Sequence, residues 1–344
     1  MEYEVIVIGG GQAGLAMGYS LKQKNVSFII IDENEQTGIS WRKRYDSLRL
    51  FTPRNYSQLH GFHVRGDPKG FPDKNEMADY LNVFRIKNDL PIVHNEKVIK
   101  LSKNGEKKFS VITQSKTYKA KQIVVATGAF YNPFVPNIHD GTASFDIHAS
   151  KYRNPSQIPK GNVLIIGAGN TGVQIAAELN KTHQVTLSQS KPMKSVPQVI
   201  AGRSLFWWLE KFRIGRAKPN SFIGKILRER EPLIGNDYKT VKKNVEIVGR
   251  LIEIKEGKAC FNNGISKQVQ NVIWATGYRN DYSWIQIEGA LSSHGRPLHC
   301  FGVTNVVGLY FIGLSWQSKR SSALLYGVSD DAKYIAEKIQ QQEM

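Results

Sequence analysis

One arrangement of residues occurs twice in this chain, and the repetition limits the available folds more than any other feature. Tyr3 to Ile8 is a short apolar, β-branched run that reads as a buried strand. Gly9-Gly10-Gly11-Gln12-Ala13-Gly14 follows, then Leu15, Ala16, Tyr19 and Leu21 at roughly helical spacing, then a second apolar run from Val26 to Ile31. This is a strand, a glycine turn, a helix and a strand, the unit that holds a dinucleotide. The same order returns at Asn162 to Ile166, Gly167-Ala168-Gly169-Asn170-Thr171-Gly172, Val173 to Leu179 and Val185 to Leu187. After each unit comes an apolar run ending in Ala-Thr-Gly, at Ala126-Thr127-Gly128 and at Ala275-Thr276-Gly277. Each reads as the strand that closes its unit, where a small residue and a glycine let backbone approach a ligand.

A chain of 344 residues has room for two such domains. The stretch Asn132-Pro133-Phe134-Val135-Pro136 and the stretch Tyr278-Arg279-Asn280-Asp281 read as crossings between them. The expected fold class is α/β, with two Rossmann-like dinucleotide-binding domains. One discontinuous domain takes residues 1–155 plus 280–344, and a second is inserted at 156–279. The inserted domain carries a basic, aromatic helical segment at about 195–245.

The details of each fingerprint differ. In the first, Gly9 permits the turn, Gly11 lets backbone approach a pyrophosphate, Gly14 packs helix on sheet, and the helix N-terminus favours an anion. Asp32, eighteen residues after Gly14 and followed by Glu33, stands where a ribose needs an acceptor. In the second, Gly167, Gly169 and Gly172 recur, but the strand ends in Leu187-Ser188-Gln189-Ser190-Lys191 without a carboxylate. Neutral Ser188, Gln189 and Ser190 suit a 2′-hydroxyl or a 2′-phosphate, and Lys191 or Lys194 adds attraction to the phosphate. NADPH is expected, with NADH also accepted.

Two nucleotide sites in one chain imply hydride transfer from nicotinamide to flavin. Cys260 and Cys300, the only cysteines, are too far apart for a redox pair, a disulfide framework or a paired-cysteine metal site. No metal is expected, and oxygen or an organic substrate is the expected electron acceptor. The chain carries +18 formal charge, and residues 191–250 hold fourteen Lys or Arg against five Asp or Glu. No nucleic-acid-binding signature accompanies that charge, so it reads as a solvated face that attracts anionic cofactors. No apolar run is long enough to cross a bilayer, and the first residues lack the basic start of a signal peptide, so a cytoplasmic protein is expected. A homodimer is one option for its assembly.

The residues resemble a known family: class B flavin-dependent monooxygenases, in the short bacterial branch similar to flavin-containing monooxygenases and often labelled as cation-transport-associated oxidoreductases. The resemblance rests on Gly9 to Gly14, on Gly38-Ile39-Ser40-Trp41-Arg42 followed by Asp46-Ser47-Leu48-Arg49-Leu50, and on Gly167 to Gly172 with its Asn170-Thr171 pair. It rests also on Trp274 to Tyr278 and on Gly308 to Gln317. It implies FAD in the first domain and NADPH in the second. It also implies a reduced flavin that captures oxygen as a C4a-hydroperoxide and oxygenates a small sulfur or nitrogen nucleophile, or a carbonyl compound. Gln12, Ala13, Trp41, Arg42, Val98 and Gln317 are then expected around FAD, with the last helix, about Ser321 to Ile339, starting beside its ring.

Departures from the family pattern leave the chemistry open. The linker fingerprint has His148 and Tyr152 in place, but Thr142 and Ser144 where Phe and Gly are expected, and Pro53 stands where eukaryotic relatives have an Asn near the flavin. Pro53, Gln317 and His148 are candidates for the pocket. No protein acid or base is required, because the flavin carries the reaction. An NAD(P)H oxidase or flavin reductase that releases peroxide is the alternative enzyme. A redox sensor that docks on an ion transporter through the basic insert is the non-enzymatic one. Leu205, Trp208, Leu209 and Phe212, with Phe206 and Trp207, form a helix expected to pack on its own domain, ahead of a lid over the cleft or a contact with a membrane surface.

Overall fold

Each fingerprint unit sits in its own sheet of the computed structural model, which describes residues 2–105, 108–229 and 232–342. In the first, Glu2–Ile8 runs parallel between Phe28–Ile31 and Thr117–Val125, and Leu309–Phe311 pairs in parallel with the far half of Thr117–Val125. The near half of that strand turns into an antiparallel run with Lys108–Thr113 and Val98–Asn104. Both faces of Val5 to Ile8 are covered, which is why the run is continuously apolar. Val5 and Val7 face the helices Gln12–Gln23, Lys74–Lys87 and Leu325–Gln341, whereas Ile6 and Ile8 meet Leu101, Phe109 and Val111 of the curled antiparallel strands.

The second sheet is parallel throughout, in the order Glu246–Val248, Gln184–Ser188, Asn162–Ile166, Asn271–Trp274, Phe145–His148. Helices Asn170–Leu179 and Asp237–Asn244 cover one face. A small antiparallel sheet of Leu251–Lys255, Lys258–Phe261 and Ser266–Gln268 covers the other with Leu251, Ile254 and Phe261.

The pairing of the second sheet begins ahead of residue 156. The run Phe145–His148 forms its edge beside Asn271–Trp274, and Ile254 N donates to Ile138 O at 2.8 Å. The two crossings pair with each other, Asn132–Pro133 lying antiparallel to Tyr278–Arg279. The last helix starts at Leu325 rather than at Ser321. Residues 318–324 are held as a turn instead: the Ser322 hydroxyl accepts from Ser318 N and Lys319 N, and Ser321 N donates to Gly215 O.

The aromatic helix of the insert, Leu205–Lys211, departs from expectation. Ser204 caps it by accepting from Trp207 N at 3.1 Å. Its buried residue Phe206, 2% exposed, does not serve its own domain alone: it packs on Phe51, Tyr56 and Tyr326 of the first domain as well as on Ile234. Sequence periodicity marks an apolar stripe but not which surface receives it. Beyond this helix, Arg320 N donates to Ala217 O at 3.0 Å, so backbone bonds also fasten the insert to the turn before the last helix.

Phe206→Ala is expected to destabilise the protein by about 3–5 kcal/mol, because the aromatic cluster cannot collapse from both sides at once. Urea unfolding measures this, and a loss under about 1 kcal/mol would show that the interface is loosely packed.

Candidate dinucleotide sites

Both glycine turns are shaped by the same close approach. Gly9 has φ +108°, and a Cβ there would lie 2.6 Å from Ala126 O. Gly167 has φ +109°, and its Cβ would lie far inside contact with Ala275 O. A Cβ at Gly14 would fall on Gly9 O, and one at Gly172 on Gly167 O with the Ala275 methyl 3.1 Å away. The small residue of each Ala-Thr-Gly run is therefore packed under its own glycine turn. That packing, more than room for a ligand, explains the alanine.

Gly11 and Gly169 differ from their neighbours, since an added Cβ would meet nothing within 4 Å at either. Each stands at the N-terminus of its helix, Gln12–Gln23 or Asn170–Leu179. Neither helix has a capping side chain or an acidic residue in its first turn. Two uncapped positive helix ends, each fronted by a glycine facing open space, fit the pyrophosphate of a dinucleotide.

Around the first turn, Asp32 is fixed at the end of Phe28–Ile31 by accepting from Gly10 N and, at 2.8 Å, from Asn34 N. Asp32 is 8% exposed, whereas Glu33 lies open to solvent. Gln12 Nε2 donates to Ala323 O at 2.9 Å, and a Cβ at Gly313 would touch the Ala13 methyl at 2.7 Å. The fingerprint helix thus begins beside the turn leading to the last helix. Thr127 and Gly128 are exposed past the strand end, and Val98 opens the strand Val98–Asn104. Trp41 packs against the helical core, while Arg42 forms an ion pair with Asp79.

The second site has fewer free groups than its sequence implies. The Ser188 hydroxyl is buried, donating to Gly249 O at 2.8 Å and accepting from Leu251 N at 3.2 Å. It therefore ties the strand end to the next loop and is spent there. Gln189 Oε1 accepts from Tyr238 OH at 3.1 Å, and Asn170 Oδ1 accepts from Ile234 N at 3.2 Å. Thr171, Ser190 and Lys191 remain exposed at the rim. Thr276 Oγ1 donates to Phe134 O across the crossing.

The three pocket candidates have structural partners. His148 Nδ1 accepts from Ser150 N at 3.1 Å, so Nε2 carries the proton and donates to Gly277 O at 3.0 Å. The imidazole thereby locks the edge strand Phe145–His148 to the Ala-Thr-Gly turn at the end of its neighbour Asn271–Trp274. Burial holds its pKa below the ordinary 6.5, the bond to Gly277 O opposing and Arg44 assisting. Gln317 is 3% exposed, with its Oε1 accepting from Leu314 N at 3.3 Å, so it braces the loop before the last helix. Pro53 is buried and starts the turn Arg54–Tyr56, its carbonyl accepting from Tyr56 N and Ser57 Oγ.

Phe51, Tyr56 and Tyr326, which carry no motif, form the wall where the insert meets the first domain. Only the adjacent Phe206-Trp207 pair hints in sequence at an aromatic partner. Cys260 and Cys300 are free thiols on strands of different sheets. Among the described residues no cluster of His, Cys, Asp and Glu could hold a metal.

Comparison with known proteins agrees with this geometry. The pyridine nucleotide-disulphide oxidoreductase family matches residues 6–202. The uncharacterized oxidoreductase CzcO-like of Geobacillus kaustophilus (strain HTA426) is 45% identical, over 96% of this chain and 97% of its own. The uncharacterized oxidoreductase CzcO of Bacillus subtilis (strain 168) is 43% identical, over 98% of this chain and 99% of its own. In fold, the chain superposes on a flavin-containing monooxygenase from Stenotrophomonas maltophilia with a TM-score of 0.84, over 100% of this chain and 99% of that one, at 23% identity.

Gly11→Ala should leave thermal stability within about 1 kcal/mol of the parent yet sharply lower FAD content, whereas Gly14→Ala should cost both. Flavin absorbance per chain and melting of the apoprotein separate the two effects. His148, neutral when folded, contributes stability that is complete above pH 6.5 and is lost as pH falls from there towards its depressed folded value. His148→Gln should therefore flatten the fall in urea midpoint between about pH 7.5 and about pH 5.5. An unchanged fall would remove His148 from that role.

Proposed function

As a member of the pyridine nucleotide-disulphide oxidoreductase family, this chain is an FAD-dependent oxidoreductase, and we propose that it is an NADPH-dependent flavoprotein monooxygenase. The observation that carries the reading is the pair of equivalent open cradles at Gly11 and Gly169, combined with the absence of a cysteine pair to pass electrons onward. FAD held at the Gly11 cradle and Asp32 would supply hydride acceptance from the nicotinamide and activation of dioxygen, with one oxygen atom for the substrate and the other for water. The substrate is a small sulfur or nitrogen nucleophile, or a carbonyl compound.

The protein's contribution is placement. Asp32 fixes the first turn and offers its remaining acceptor capacity to a ribose. The uncapped helix ends at Gly11 and Gly169 hold pyrophosphates. At the second site exposed Lys191, and no carboxylate at the end of Gln184–Ser188, favour a 2′-phosphate, so NADPH is the preferred donor and NADH is also admitted. The aromatic wall of Phe51, Tyr56, Phe206 and Tyr326 excludes water between the domains. These side chains leave acid–base work to the flavin.

A second reading, an oxidase that releases peroxide, is favoured by Pro53, whose buried ring offers no N–H or amide to hold an oxygen species and whose carbonyl is already used. The two are separated by stoichiometry. With the FAD-loaded protein and a panel of thioethers and amines, the monooxygenase reading expects one oxygenated product per NADPH and little peroxide. Peroxide equal to NADPH consumed under every substrate would establish the oxidase instead. Repeating the titration with NADH measures the preference at the second site.

A further inference from the structure

The insert that packs on the first domain with Phe206, Leu205 and Leu209 turns several other large apolar side chains to water. Phe222 is 80% exposed and Phe212 61%, and Val199, Ile200, Ile223 and Ile226 are also exposed. Among the described residues no other segment of this length carries as many exposed large apolar side chains, and such a concentration calls for a partner.

Two local devices produce it. In the helix Phe222–Glu229, Gly224 is the buried position, and any Cβ there would collide with Lys218 O. The helix therefore sits on the preceding turn through its glycine, and Phe222, Ile223 and Ile226 fall on the side away from it. In the hairpin Val199–Ile200 to Arg203–Ser204, Ile200 O accepts from Trp208 Nε1 at 3.0 Å, and Trp208 stacks on Phe212 with ring centres 6.0 Å apart. The hairpin tip, Trp208 and Phe212 thus form one apolar surface, and the exposed side of Phe222–Glu229 adds a second within the same segment.

Cations surround these surfaces. Residues 195–229 contain seven Lys or Arg against two Glu. Lys211 lies 4.7 Å over the Trp207 ring and Arg203 5.2 Å over the same ring. Lys225 and Arg228 are exposed on the helix that bears Phe222. Apolar tips fringed by Lys and Arg match an anionic lipid surface, where the tips enter the interfacial layer and the cations meet headgroup phosphates. A second copy of the chain matches poorly, because a two-fold dimer would set the same basic patch against itself. Single-stranded nucleic acid is bound on successive planar stacking platforms, whereas four of the six exposed apolar side chains, Val199, Ile200, Ile223 and Ile226, are aliphatic.

We propose that segment 195–229 docks the protein peripherally on anionic bilayers, through Phe222, Ile226 and the hairpin tip. Among the described residues no helix is long and apolar enough to cross the membrane. Docking does not depend on the reaction proposed above, because it is read from binding alone.

The test is co-sedimentation of the full FAD-loaded chain with vesicles of phosphatidylcholine alone or mixed with phosphatidylglycerol, followed by flavin absorbance in the pellet. Binding is expected only with phosphatidylglycerol, weakening as salt is raised. Phe222→Ser with Ile226→Ser should bind at least roughly tenfold more weakly, with the melting temperature and the rate of NADPH oxidation in the absence of lipid unchanged. Lys225→Gln with Arg228→Gln should lower binding and its salt dependence together. Absence of binding to anionic vesicles, equal binding to neutral ones, or undiminished binding by the Phe222/Ile226 variant overturns the proposal. So does a parent dimer that this variant converts to monomer without lipid, which would make the surface a contact between copies.

Discussion

The two glycine cradles of this structure depend on an alanine carbonyl at the end of one strand pressed beneath a glycine turn from another. Ala126 does this to Gly9 and Ala275 does it to Gly167. The contact sets the height of the turn over the sheet, the turn aims the following helix, and the uncapped helix end opens at a glycine that faces free space. A larger residue at either alanine would lift the turn and misdirect the helix. Two domains with little else in common, one with a curled antiparallel extension and one with a purely parallel sheet, therefore present the same cradle.

The relation between the domains is set by different chemistry. At one side Tyr45 of the first domain packs into the second domain's core and its hydroxyl bonds to Gln174, while Asp46 accepts from both Lys74 and Asn154. At the other side the contact is aromatic, with Phe206 between Tyr56 and Tyr326. The two domains are thus joined by a polar contact and an aromatic one.

Much of this is legible in the chain. Repeated glycines and apolar runs identify both units, and Asp32 adds an acceptor to the first, because covalent neighbours alone create the turn, the strand and the acceptor. Helix and strand ends shift where distant residues intervene: Ser321 is kept out of the last helix by Gly215, far earlier in sequence. By its position Ser188 suits a ribose, yet its hydroxyl is consumed by Gly249 and Leu251, loop partners that no local pattern announces. Gln317 and His148 are visible as unusual residues, but their roles as braces depend on carbonyls and amides brought in by the fold. The aromatic wall is the least legible part, since Phe51, Tyr56 and Tyr326 come from separate segments without periodicity.

The pairing of Asn132–Pro133 with Tyr278–Arg279 has a consequence for how the chain can assemble. Leu309–Phe311 must find Thr117–Val125 across the whole inserted domain, a loop whose closure in an unfolded chain is slow. Once the inserted domain has formed, its entry and exit points are held side by side, with Arg279 stacked 3.5 Å over Phe134. The effective loop then shrinks to the short stretches outside the crossing. Folding the inserted domain first converts the most distant pairing in the first sheet into a nearly local one, so the order of assembly is written into where the chain leaves that sheet and where it returns.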